Sequence, residues 1–334
     1  VSRKRIAIVG AGNMAHTRGQ AFLDTGQAEI CAVASRRLEK AKECAADLGC
    51  TTYFDDYRRL REASPDAILI EVPHAPQDDA TIWALRSGYD VLVGGTLASS
   101  VRAAEEIIEL AVGQKLIVEA GFQRRYDPSW AAAHQLVQRR QLGEPIMAVT
   151  SALWNPDPSR WYYDQRESGG MPLTHMSYVY MNAIRWIMGE PTTVFAMANR
   201  KVETLPERVS EETCSVLVGF RDGAFVSATA SYAGPEGMGN PEPQIVCTKG
   251  GIQFNPEGSS GQVSMDIIQG GESETRSFEN EPSPMVSQAT RFLDSIATRQ
   301  PALNPPQDAL IDVQIAEAIS VSVQEQRLVQ IQGG

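Results

Sequence analysis

The sequence predicts an α/β part followed by an α+β part. Residues 1–122 are expected to form a doubly wound parallel sheet, and residues 123–334 an open, mainly antiparallel sheet with helices on one face. Three observations predict it. Short apolar strands alternate with amphipathic helices as far as Glu119, the rhythm of a parallel sheet covered on both sides. A Gly-x-Gly-x-x-Ala turn joins the first strand to the first helix. After Pro145 the texture changes to strands separated by hairpin signals.

The first strand is Arg5-Ile6-Ala7-Ile8-Val9, and the turn is Gly10-Ala11-Gly12-Asn13-Met14-Ala15. Gly10 allows the tight turn, Gly12 lets the backbone approach a pyrophosphate, and Ala15 keeps the helix close to the strand. Phosphates would sit on free N–H groups at the positive end of the helix. The motif carries weight here because an apolar strand precedes it and an amphipathic segment follows. A dinucleotide site of the Rossmann type is the reading.

The second strand, residues 28–34, ends in Ser35-Arg36-Arg37, about 20 residues past the glycine turn. A carboxylate at that place would hold a free ribose 2′-hydroxyl and repel a 2′-phosphate. A hydroxyl and two guanidinium groups hold a phosphate, so NADP(H) is favoured over NAD(H). The rhythm continues with a helix over 38–48 closed by Gly49, a strand over 67–72 and a helix over 77–87. A strand over 90–93, a helix running from a cap at Ser99 or Ser100 to Val112, and a strand over 116–119 complete the unit. Ligands bind off the carboxyl ends of such strands. Val72, Pro73, His74, Gly94, Gly95 and Gln123 lie there. They join Gly10, Gly12, Asn13, Met14, Ser35, Arg36 and Arg37 as cofactor-binding candidates.

In the second part, Asp127-Pro128 starts a helix with an N-cap and a proline at the first position. Strands are expected over 146–154, 194–202, 213–220, 224–232, 244–248 and 263–268, with Asp222-Gly223 and Lys249-Gly250-Gly251 as hairpin turns. Helices are expected over 173–188, 285–298 and 308–323, and 234–243 is a Gly/Pro-rich loop. One face of the open sheet should pack on helices and the other pair with a second subunit.

Composition bounds the partners. The formal charge is −11 over 334 residues, which argues against nucleic acid and anionic membrane surfaces. No apolar run reaches transmembrane length and the N-terminus lacks an apolar h-region. The five cysteines are scattered, as buried thiols of a reduced cytoplasm would be, and the four histidines show no zinc spacing. A small molecule is the expected partner.

The chain resembles the Gfo/Idh/MocA family, the glucose–fructose oxidoreductase and inositol dehydrogenase relatives. The resemblance rests on the glycine turn, on Val91-Leu92-Val93-Gly94-Gly95-Thr96-Leu97-Ala98, on Gly121-Phe122-Gln123-Arg124-Arg125-Tyr126-Asp127-Pro128, on Ser168-Gly169-Gly170 and on Arg185-Trp186-Ile187-Met188-Gly189-Glu190-Pro191. It implies hydride transfer between a nicotinamide and a sugar, cyclitol or polyol, and a homodimer or homotetramer built through the open sheet.

The resemblance also implies a lysine in a Glu-Lys-Pro turn after the fifth strand and an Asp-x-x-x-His pair on a helix of the second domain. Here the lysine position is Gly95, the aspartate position His175 and the histidine position Val179. The expected reading is an oxidoreductase with rebuilt acid–base groups. His175 is the first candidate, because an imidazole titrates near neutrality, and Tyr178, Arg125 and His74 follow. Trp161, Tyr162 and Tyr163 are candidates for a stacking wall and Asn182 for a polar substrate contact. Two alternatives stay open. One is a catalytically silent nucleotide-binding sensor of the same fold. The other is biliverdin-reductase-like reduction of a conjugated ligand, since biliverdin reductases lack the same lysine and the segment 155–163 is locally similar to theirs.

Overall fold

The computed structural model describes residues 3–155, 161–168, 178–202, 211–235, 237–255, 262–279 and 281–331. The chain divides into two compact units. One comprises 1–123 with 282–313, and the other 124–281 with 314–334.

The first unit is built on six strands: β1 (Lys4–Val9), β2 (Ala28–Ala34), β3 (Tyr53–Phe54), β4 (Ala67–Ile70), β5 (Asp90–Val93) and β6 (Val118–Ala120). Their order is β3-β2-β1-β4-β5-β6 and every pair is parallel. Strands β4 and β5 are buried along their whole length. That is why they read as continuous apolar runs, without alternation. The helices are α1 (Asn13–Asp24), α2 (Leu38–Asp47), α3 (His74–Arg86) and α4 (Val101–Gln114). Ser100 caps α4, its Oγ accepting from Ala103 N at 3.2 Å. This helix runs past Gly113 and ends on Lys115 in the left-handed conformation, where Leu116 N donates to Ala111 O. Helix α3 starts at His74, earlier than the expected position 77, with Pro73 as its N-cap.

The second unit begins with α5 (Pro128–Gln138), whose N-cap Asp127 accepts from Ser129 N and Trp130 N. It continues through β7 (Pro145–Leu153), α6 (Gln165–Ser168), α7 (Tyr178–Met188), β8 (Pro191–Asn199), β9 (Thr213–Phe220) and β10 (Phe225–Ser231). Next come β11 (Gln244–Cys247), β12 (Gly250–Phe254), β13 (Gln262–Gln269) and β14 (Glu272–Glu279). Helices α8 (Pro284–Thr298) and α9 (Pro306–Glu325) and the short β15 (Val329–Gln330) close the chain. The nine-stranded sheet has the order β14-β13-β12-β11-β7-β10-β9-β8-β15. It is antiparallel except where β10 runs parallel to β7.

Helix α8 belongs to the first unit. Its buried Ala289, Phe292, Leu293 and Ile296 recur at helical spacing. They join Ile6, Ile8, Phe22 and Leu48 in one core, and Phe292 meets Phe22 edge-on with centroids 6.1 Å apart. The sequence reading kept this helix with residues 123–334, because nothing in it says which core its apolar stripe joins.

One face of the nine-stranded sheet is buried and the other carries apolar side chains to the surface. Val216 and Val218 are buried while Leu217 between them is 46% exposed. Leu217 lies beside Phe195 and Ser227, and Ser227 beside Val149. One pair further along, Phe225 neighbours Met147, which neighbours Val246. Phe195, Val149, Phe225 and Val246 are all exposed.

All five cysteines are buried and unpaired, and burial pushes the Cys214 thiol up to about 12. No helix among the described residues is long and apolar enough to cross a membrane. Among those residues no cluster of three or more His, Cys, Asp or Glu side chains could hold a metal ion.

Candidate functional site

The strand order of the first unit reverses at β1 and β4, and the glycine turn lies at that reversal. Gly10 has φ +121°, and a Cβ there would fall 2.0 Å from the carbonyl oxygen of Glu71. Only glycine fits on both counts. Gly12 is the N-cap of α1 in an extended conformation, with open space where its Cβ would be and no side chain capping the helix. The first-turn N–H groups of α1 are therefore left for a ligand. Asn13 and Met14 are exposed there, and Ala15 beneath them is fully buried.

At the end of β2, Ser35 N donates to Phe54 O, and Ser35 Oγ accepts from Arg37 N at 3.3 Å. Arg36 and Arg37 are exposed, with Arg37 at the N-cap of α2. Val72 and Pro73 are partly buried, and His74 is 7% exposed in the first turn of α3. The turn after β5 is held from two sides. Gln77 Nε2 donates to Thr96 O at 2.8 Å, and Gly121 N donates to Gly95 O at 3.0 Å. Gly95 has φ +83°.

Two charged residues that sequence reasoning missed lie among these candidates. Arg18, on α1, is 4% exposed. Its Nη1 donates to Gln288 Oε1 at 2.5 Å, and its Nη2 to Gly121 O at 2.5 Å and to Gln123 Oε1 at 3.3 Å. Its Nε lies 2.6 Å from Glu71 Oε1. Burial pushes the Glu71 carboxyl above its ordinary range, and the charge of Arg18 offsets only part of that. The available signal was an acidic residue at the end of the apolar run 67–72, which a buried strand does not accept without a partner.

In the second unit, Arg125 Nε donates to Asn182 Oδ1 at 2.8 Å, with the two residues 3% and 0% exposed. The Arg125 guanidinium lies 5.5 Å from the centre of the Trp186 ring, and the His134 ring stacks on Trp186 at 3.8 Å. Burial, and then the charge of Arg125, holds the His134 pKa below its ordinary value. Arg124 packs over Tyr180 at 4.1 Å and over Trp130 at 5.5 Å, and Trp130 stacks on Phe254 at 4.1 Å. Tyr163 is fully buried with its ring 5.4 Å from Tyr232, so it packs the unit, whereas Trp161 is half-buried. His175 lies outside the described residues. For Tyr162 and Tyr178 the side chains lie outside what is described.

The doubly wound sheet and the bare helix N-terminus behind Gly10 and Gly12 define a dinucleotide-binding protein. The chain belongs to the GFO/IDH/MocA family. Residues 4–122 match the family's oxidoreductase model with an NAD-binding Rossmann fold, and residues 130–253 match the family's C-terminal domain.

The inositol 2-dehydrogenase 4 of Saccharopolyspora erythraea is 26% identical over 64% of this chain and 65% of its own. The scyllo-inositol 2-dehydrogenase (NAD(+)) of Bacillus subtilis is 22% identical over 74% of this chain and 72% of its own. The chain thus spans about two thirds of the length of these relatives. A levoglucosan dehydrogenase in complex with NADH and levoglucosan has the same fold, with a TM-score of 0.89 at 18% identity over 99% of this chain and all of that one.

Proposed function

We infer that the chain is a nicotinamide-dependent oxidoreductase of sugars, cyclitols or related polyols. The observation that carries this reading is the uncapped start of α1 behind Gly10 and Gly12, open toward a ligand. The inositol dehydrogenases among its relatives support the substrate class.

The bound nicotinamide would supply the hydride chemistry. The chain's part is to bind and orient. Gly10 makes the turn, its own N–H donated to Ala34 O at 2.8 Å, and Gly12, Asn13 and Met14 present backbone N–H groups to the pyrophosphate. Ser35, Arg36 and Arg37 hold the adenine ribose end, and the two exposed arginines favour NADP(H) over NAD(H), although one relative is named for NAD(+). Val72, Pro73, His74, Gly94, Gly95 and Gln123 line the carboxyl ends of the strands.

The hydroxyl being oxidised must lose a proton, and Gly94-Gly95-Thr96 offers no ammonium group for it. His175 is the proposed carrier, and Tyr178 follows three positions on in sequence. The exposed apolar face of the nine-stranded sheet pairs with a second copy, giving a dimer or a tetramer.

The test is a panel of inositols, aldoses, polyols and a tetrapyrrole, followed at the nicotinamide absorbance with both cofactors. Turnover of a cyclitol or sugar is expected. Tight cofactor binding without turnover of any member would favour a sensor, and turnover of the tetrapyrrole alone a biliverdin-reductase-like enzyme. His175→Ala should lower turnover about 10²- to 10⁴-fold with cofactor affinity retained.

A further inference from the structure

Glu71 presses on two glycines from the carboxyl end of β4. Its carbonyl oxygen occupies the space a Cβ of Gly10 would need. Its carboxylate occupies the space a Cβ of Gly94 would need, with Cδ and both oxygens 2.3 Å from that point. The two glycines differ in kind. Gly10 has a backbone conformation that disfavours other residues, with φ +121°. Gly94 is not among the residues with positive φ, so its conformation makes no such demand. What a Cβ at 94 would meet is the carboxylate end of the Glu71 side chain, which would have to move.

That side chain is 8% exposed and faces Arg18, itself 5% exposed. Arg18 spends the rest of its guanidinium on Gly121 O, Gln123 Oε1 and Gln288 Oε1. Gly121 in turn donates to Gly95 O. One buried carboxylate therefore pairs with an arginine that joins α1 to the turn after β6, and the Gly121–Gly95 backbone bond joins that turn to the turn after β5. These turns lie at the sheet end where doubly wound folds take their ligands.

We propose that Glu71 is a positioning residue of the dinucleotide site, acting through Arg18 on the Gly121–Gln123 turn, and that Gly94 is its steric counterpart. This rests on the dinucleotide reading above. A purely structural ion pair would be replaceable without effect on ligand affinity. A positioning pair is not, because Arg18 without its carboxylate no longer holds the turn in register with Gly95. The two sites are also coupled. A methyl group at 94 must displace the carboxylate, so it should do nothing further once the carboxylate is gone.

The experiment is a fluorescence titration of the full chain with NADPH and with NADH, beside thermal unfolding of the unliganded protein. Glu71→Gln keeps the shape and removes the charge. It is expected to weaken the tighter cofactor about tenfold while the protein stays folded. Gly94→Ala should weaken it by a similar factor. In a Glu71→Ala background, Gly94→Ala should add less than about twofold, in affinity and in the unfolding midpoint alike. Unchanged affinity in Glu71→Gln and Gly94→Ala would overturn the proposal, as would multiplicative effects in the double variant. Failure of the unsubstituted protein to bind either cofactor would instead overturn the dinucleotide reading itself.

Discussion

Arg125 donates its Nε–H to Asn182 Oδ1 at 2.8 Å across 57 positions of sequence, with both residues buried. The contact ties the turn before α5 to the middle of α7. Asn182→Ala removes the acceptor while the guanidinium stays buried. Losing a buried hydrogen bond to a charged group costs about 1.5–3 kcal/mol, and urea unfolding should show a loss in that range. A loss below about 0.5 kcal/mol would mean that Asn182 is not what holds Arg125.

A second prediction concerns acid. His134 stacks on Trp186, and burial together with Arg125 keeps its folded pKa below the unfolded one. Its contribution is complete above the unfolded value of about 6.5. As the pH falls, the unfolded chain takes up a proton that the folded ring refuses, and stability drops until the folded pKa is reached. Between about pH 7 and pH 5 the urea midpoint should fall more steeply in the wild type than in His134→Phe, which keeps the stacked ring. Parallel slopes would contradict this.

The proposed preference for NADP(H) is testable at the end of β2. Arg36 and Arg37 are exposed beside Ser35, as a phosphate-binding pair must be. Arg36→Asp should weaken NADPH about tenfold or more and strengthen NADH, measured by fluorescence titration. Equal effects on the two cofactors would assign Arg36 to the general charge of the surface.

Much of this was legible before the fold was known, and the reason is locality. Asp127 before Pro128 and Asp222-Gly223 each act within a few residues and stand where they were expected, and of the two cap candidates before Val101 it is Ser100 that caps. The uncapped Gly12 is equally local. What escaped depends on distance. Phe292 finds Phe22 across most of the chain, and Arg18 finds Glu71 across two βα units. Strand β14 escaped for another cause. Its sequence, Glu-Ser-Glu-Thr-Arg-Ser-Phe-Glu, is exposed at nearly every position, so it has no apolar alternation to read. The parallel pairing of β7 with β10 also leaves no mark, because a strand's pattern records its faces and not its direction.

Assembly is testable at one side chain. Leu217 lies on the exposed face of the sheet, beside Phe195 and near Val149 and Phe225. Leu217→Glu places a charge in that patch without touching the buried face. Sedimentation should show the wild type as a dimer or tetramer and the variant as a monomer with an unchanged far-ultraviolet spectrum. An unchanged assembly would move the interface elsewhere, and a monomeric wild type would remove it.

Hydride transfer between a nicotinamide and a polyol carbon can be followed directly. The most direct measurement uses NADPH or NADH carrying deuterium at the reactive nicotinamide carbon, incubated with the chain and an inosose or ketose. Deuterium is expected on the carbinol carbon of the product. Stoichiometric cofactor binding with no transfer of label to any such acceptor would contradict it.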